Sequence, residues 1–258
     1  KRLSDITEES VRKFRLELAR TIGRNDAALK KNTQAYYAIA IRNFLKYLLK
    51  HDHAVLAPEK IELPKIGARE IELVDYEDME RMLQAPKGDH LRSLRDRALL
   101  ETLFSTGLRL SELCGLSRFV DLERGEISVR GKGDKLRVVF ISRGAKEKIT
   151  TYLKKRDDAD EALFISITKK GKPMGRITPR AVERLVDRYA RAAGIGERVT
   201  PHSFRHLFAT DLLINGADLR SVQALLGHAN IATTQVYTHL TNKELKEIHR
   251  SFHGRRKK

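Results

Sequence analysis

The chain has 258 residues, with 51 Lys and Arg against 34 Asp and Glu, a formal net charge of +17 at neutral pH. A hydrophobic fraction of 41% beside 33% charged residues describes a globular chain of one large or two smaller domains and excludes generic disorder. No apolar run reaches the roughly 18 residues of a membrane span, the N-terminus lacks a secretory core, and the single cysteine, Cys114, can form no internal disulfide; a reducing cytoplasm is the expected compartment. The surplus charge is zoned, +6 over residues 1–65 and +11 over 130–206 against −4 over 66–129, which points to a polyanionic partner.

In chain order, Val11, Phe14 and Leu18 recur at helical spacing and stop at Gly23, and Thr33 opens a second amphipathic helix carrying Tyr37, Ile41, Phe44, Leu45 and Leu48. Residues 56–68, with two prolines and a glycine and no periodicity, read as a connection between domains. The division expected is a helical domain at 1–64, a linker at 65–74 and a larger domain at 75–258. In the larger part Asp75 or Glu77 begins a helix bearing Met79, Met82 and Leu83, and Ala98 to Phe104 form another that ends near Gly107. The period then changes: Glu126 to Arg130 and Leu136 to Ile141 read as two strands joined by the turn Gly131-Lys132-Gly133-Asp134, with a further strand at Leu163 to Ile167.

Helical signals return with Thr178-Pro179, whose helix stops at Gly194, and with Thr200-Pro201, whose helix runs to Asn215-Gly216. Asp218 caps a short helix ending at Gly227, and Thr241-Asn242-Lys243-Glu244 is a capping box before the apolar stripe Leu245, Ile248, Phe252. That last helix can dock on a neighbouring copy or fold back on its own chain. The fold class is therefore mainly α with a small antiparallel β-sheet.

Four short motifs carry chemistry. On the helix opened by Pro201, His202 and Arg205 stand three apart and share a face beside a helix N-terminus, a ready phosphate site. His202 and His206 are four apart, but Ser203 is not the Glu of a zinc-protease helix and no Cys accompanies them, so no metal is expected. Arg109 follows the helix-ending Gly107, with Glu112 three residues on to orient it. Lys132 sits at the hairpin tip, His228 just past Gly227, and Tyr237 nine residues later.

In this order and approximate spacing, Thr106-Gly107-Leu108-Arg109, Gly131-Lys132-Gly133, His202-x-x-Arg205, Leu226-Gly227-His228 and Tyr237 resemble the tyrosine recombinase (phage integrase) family over residues 10–253, most closely its Xer branch, which resolves chromosome dimers. The resemblance implies a small core-binding domain and a catalytic domain that close on duplex DNA as a C-shaped clamp. It implies that Tyr237 attacks the phosphorus to form a 3′-phosphotyrosyl link and that Arg109 and Arg205 hold the non-bridging oxygens. Lys132 would protonate the departing 5′-hydroxyl, His202 would help deprotonate the tyrosine, and His228 would bond a phosphate oxygen, with Glu112 supporting the pocket. No cofactor, metal or ATP is implied. The partners implied are double-stranded DNA bearing a specific site and further copies of the chain, two per site and four in the synapse; no membrane is involved, no translocase activator is specified, and the expected location is the nucleoid. Lys30, Lys31, Thr33 and Arg42 are the candidate phosphate contacts of the helical domain. A mobile-element integrase and a type IB topoisomerase, which uses a similar Arg, Lys, Arg, His and Tyr set, are the alternative readings.

Overall fold

The computed structural model describes residues 2–22, 27–64, 74–131, 136–227 and 234. The chain divides into two compact units, Lys1–Ile71 and Glu72–Lys258.

The first unit is built on helices α1 (Glu8–Arg20) and α2 (Lys31–Lys50). Thr7 starts α1 by accepting from the Ser10 N–H, while the Ser10 hydroxyl accepts from the Thr7 N–H, and Glu8 and Glu9 in the first turn oppose the helix dipole. Helix α2 begins two residues before the expected Thr33, at Lys31, and has no side-chain cap. Val11, Ala38, Leu45, Leu48 and Ile61 form the core of this unit, with Ile6, Ile41, Val55 and Leu56 packed on it. Burial of Pro58 and Ile61 corrects the reading of residues 56–64 as connection: a short 3-10 turn at Pro58–Lys60 returns the chain onto α2. Residues 65–73 lie outside the described set.

In the second unit α3 (Tyr76–Gln84) packs on α4 (Leu91–Thr106), which also contacts α6 (Arg143–Lys154) and α8 (Pro201–Ile214). Because neighbours surround it, α4 is buried on nearly every side, and the Thr102 and Thr106 hydroxyls donate back to Ala98 and Thr102 carbonyls at 2.7 and 2.6 Å. Its Asp96, fully buried, accepts from Arg95, Arg188 and the Tyr189 hydroxyl, and burial together with that carboxylate pushes the Tyr189 phenol up to about 12. Helix α4 ends at Gly107, at φ +57°, where a Cβ would lie 2.5 Å from Cδ1 of Phe208 on α8. Only glycine accepts both that backbone and that approach.

After α5 (Leu110–Gly115), strands β1 (Glu126–Arg130) and β2 (Leu136–Phe140) pair antiparallel in the register Glu126 with Phe140 to Arg130 with Leu136, as their period predicts. Ile127, Val129 and Val139 face inward; Leu136, Val138 and Phe140 face outward and are exposed. A second pair joins β3 (Ile165–Ile167) to β4 (Pro173–Arg176). Helix α7 (Pro179–Ala192) and helix α8 start as expected on Thr178-Pro179 and Thr200-Pro201; each threonine accepts from the N–H three residues on. Helix α9 (Leu219–Leu226) is capped by Asp218 and closed by Gly227 at φ +63°. Hydrogen bonds from the Ser221 hydroxyl and backbone hold the Asp218 carboxyl below its ordinary range. Helices α5 and α6 and strand β4 were not among the expected elements. The expected helix at Thr241 to Phe252 lies outside the described residues.

Among the described residues no helix is long and apolar enough to cross a membrane.

Candidate active site

The site forms where three elements end. The C-terminus of α4 turns at Gly107 into Arg109, the N-cap residue of α5; α8 carries Arg205 in its second turn; and α9 presents the carbonyls of Leu225, Leu226 and Gly227 at its C-terminus. Arg205 is 2% exposed, and its guanidinium donates to the Gly107 carbonyl at 2.6 Å and to the Leu226 carbonyl. Arg109, half-buried, donates to the Gly227 carbonyl at 3.0 Å and to Glu112 Oε1 at 3.0 Å. The Arg109 backbone N–H completes the grip on Glu112 at 2.8 Å to Oε2. Three of the five guanidinium donors of Arg109 thus face no acceptor among the described residues.

Glu112 is the anionic hub. Arg137 on β2 grips both of its oxygens at 2.7 Å, and the carboxylate side chain is only 3% exposed. Burial alone pushes this carboxyl up; the bonds from Arg137 and Arg109 outweigh it, and the net shift is downward from its ordinary value of 4.5. Arg137 was not among the residues picked out in the sequence. The pairing of β2 with β1 puts position 137 on the inward face beside Val139, a placing that the apolar Leu136, Val138 and Phe140 mask in the sequence, and a charge on a core face needs a partner.

His202 is exposed on the first turn of α8 and meets His206 edge-on, with ring centroids 4.2 Å apart. Arg109, His202 and Arg205 line one cavity of about 500 Å³, shared with Arg184, Arg198 and the carboxylates of Glu183 and Asp187. This brings together three of the six residues expected to act. Lys132, His228 and Tyr237 lie outside the described residues, although their neighbours Gly131, Leu136 and Gly227 do not. Among the described residues no group of three or more His, Cys, Asp or Glu converges as metal ligands. Cys114 is buried, which pushes its thiol up to about 11.

The candidate DNA contacts of the first unit are differently placed. Lys30 and Lys31 are exposed at the start of α2 and Thr33 is half-buried in its first turn. Arg42 is half-buried, with an enclosed Nε that has no hydrogen-bond partner among the described residues.

Residues 72–244 match the model of the phage integrase family. The chain is 39% identical over 234 residues to the tyrosine recombinase XerC of Thermodesulfovibrio yellowstonii, covering 86% of this chain and 76% of that protein. It is 39% identical over 257 residues to the tyrosine recombinase XerD of Chlorobaculum tepidum, with 95% and 81% covered. In structure it is similar to the XerH site-specific recombinase in a post-cleavage complex with a palindromic difH substrate, at a TM-score of 0.72 and 26% identity over 94% of this chain and 71% of that one. The motif order, the paired arginines and these likenesses agree, and the chain belongs to the phage integrase family of tyrosine recombinases, the enzymes that cleave and rejoin DNA at specific sites.

Proposed function

We propose that the chain is an Xer-type recombinase that resolves chromosome dimers through a 3′-phosphotyrosyl intermediate. The observation that carries this reading is the convergence of Arg109 and Arg205, far apart in sequence, on adjacent carbonyls of one helix end beside a cavity that also takes His202. Two fixed guanidiniums there match a phosphodiester, whose transition state gathers charge on two non-bridging oxygens. The likeness to a recombinase described with cleaved difH DNA supports duplex DNA as substrate.

In the reaction, the Tyr237 oxygen attacks phosphorus while His202 draws away its proton. The bond to the 5′-oxygen breaks, and Lys132 supplies the proton that the departing hydroxyl needs. His228 donates to a non-bridging oxygen. The 5′-hydroxyl of the partner strand then attacks the phosphotyrosyl phosphorus and releases the tyrosine, so no bond energy is lost and neither metal nor ATP is consumed. Residues 1–64 and 75–258, linked through 65–74, close on the duplex as a C-shaped clamp, with Lys30, Lys31, Thr33 and Arg42 on backbone phosphates, two copies per site and four per synapse.

The test is a supercoiled plasmid carrying two directly repeated copies of the replicon's own recombination site, incubated with the protein in EDTA. Two separate circles are the expected product. A ladder of relaxed plasmid without circles, or a strict requirement for magnesium, contradicts the reading.

A further inference from the structure

The Arg137 guanidinium joins the carboxylate under Arg109 to the end of the helix that leads into His228, and from this we infer that Arg137 is a positioning residue for strand cleavage. The inference rests on the reading that Arg109 and Arg205 hold the phosphate.

Register places Arg137 opposite Val129 on the inward face of the hairpin, five residues beyond Lys132. Its side chain is 10% exposed. Two of its nitrogens fork onto Glu112 and its Nε donates to the Leu225 carbonyl at 3.0 Å. Three successive carbonyls at the end of α9, those of Leu225, Leu226 and Gly227, therefore each accept from a different arginine: 137, 205 and 109. Three cations can gather so closely because the helix C-terminus is the negative end of its dipole and Glu112 neutralises part of the cluster.

Arg137 differs from the other two. It does not line the cavity, and each of its three nitrogens is already engaged by protein. It acts on the reaction through what it holds. Glu112 fixes the backbone and the guanidinium of Arg109, and the Leu225 carbonyl fixes the turn from which His228 departs. The contact is close: a Cβ at Gly227 would lie 2.8 Å from Arg137 Cδ, so glycine at 227 serves both the left-handed turn and this approach. Because the planar fork meets Glu112 while Nε turns to Leu225, a lysine cannot replace it; an ammonium is a point charge without that geometry.

The test compares wild type, Arg137→Lys, Arg137→Met, Glu112→Gln and the Glu112→Gln/Arg137→Lys double variant. Cleavage of a nicked duplex is measured in single turnover at saturating protein, alongside DNA affinity and thermal unfolding. Arg137→Lys, which keeps the charge and protects the fold, is expected to bind DNA within about twofold of wild type and to cleave at least about tenfold more slowly. Arg137→Met, if folded, should approach the 10²-fold loss that small misplacement of reacting groups brings. The double variant should be slowed by clearly less than the product of the single effects, since both changes break the Arg137–Glu112 link. Cleavage by Arg137→Lys within threefold of wild type, or a double variant slowed by the product of the single effects, overturns the inference. A wild type that forms no covalent adduct overturns the underlying reading instead, and Tyr237→Phe run in parallel tells the two failures apart.

Discussion

Replacing Arg205 by alanine is expected to reduce strand cleavage by about 10³-fold or more and to loosen the second unit. Removing one fixed donor from an oxyanion site slows reactions by about 10²–10³-fold, and removing an arginine that neutralises a transferring phosphoryl group by about 10³–10⁵-fold. In the proposed reaction Arg205 combines the two roles, since it is a permanent charge with a planar fork. The structural loss is separate. The side chain is buried and satisfies the carbonyls of Gly107 and Leu226, and each buried carbonyl left without a donor costs about 1–3 kcal/mol. Arg205→Lys divides the effects: it keeps a charge and one bond, so urea unfolding should fall between wild type and alanine while cleavage stays near the alanine value. Single-turnover cleavage and urea denaturation measure both. A lysine variant that cleaves at the wild-type rate would show that the fork at this position does not bind the phosphate.

The second large effect concerns Glu112. Alanine at this position leaves the Arg137 guanidinium, 10% exposed, without its counter-charge, and breaking a buried pair in this way costs about 3–5 kcal/mol. Glutamine allows the pH dependence to be read. The folded-state carboxyl titrates below its ordinary value of 4.5, so the stabilisation from its charge is fully present above that value and fades as pH falls through the lower folded value. The gap in urea midpoint between wild type and Glu112→Gln should be constant above about pH 5 and narrow steadily below about pH 4.5. A gap that stays constant down to pH 3 would contradict the pairing with Arg137 and Arg109.

The elements whose signals are local were legible in the sequence. Thr178-Pro179, Thr200-Pro201 and Asp218 start helices because one side chain satisfies the first free N–H groups, whatever surrounds them. The β1–β2 pairing followed from period and turn. What depends on three-dimensional surroundings was missed. Residues 91–97 of α4 carry three arginines yet are part of the most enclosed helix, because Arg95 and Arg188 meet on Asp96. Helix α6 had its signal in the Ser142 cap followed by Ala145, Ile149 and Tyr152, all buried. Arg137 was hidden by its own strand: Leu136, Val138 and Phe140 suggest an apolar face, and that face is the exposed one, 66%, 43% and 55% accessible. Within the site, Arg109, His202 and Arg205 were readable from motif spacing and share one cavity. The arginine that links Glu112 to α9 was not readable, because its partners are set by tertiary register.

Metal-free attack by Tyr237 is tested with a nicked duplex of the recombination site, which traps the covalent intermediate, incubated in EDTA with wild type and with Tyr237→Phe. An SDS-resistant protein–DNA adduct is expected with wild type and none with the phenylalanine variant, which still binds the duplex in a salt-sensitive manner. An adduct that persists in Tyr237→Phe, or that forms only when a divalent metal is supplied, would contradict it.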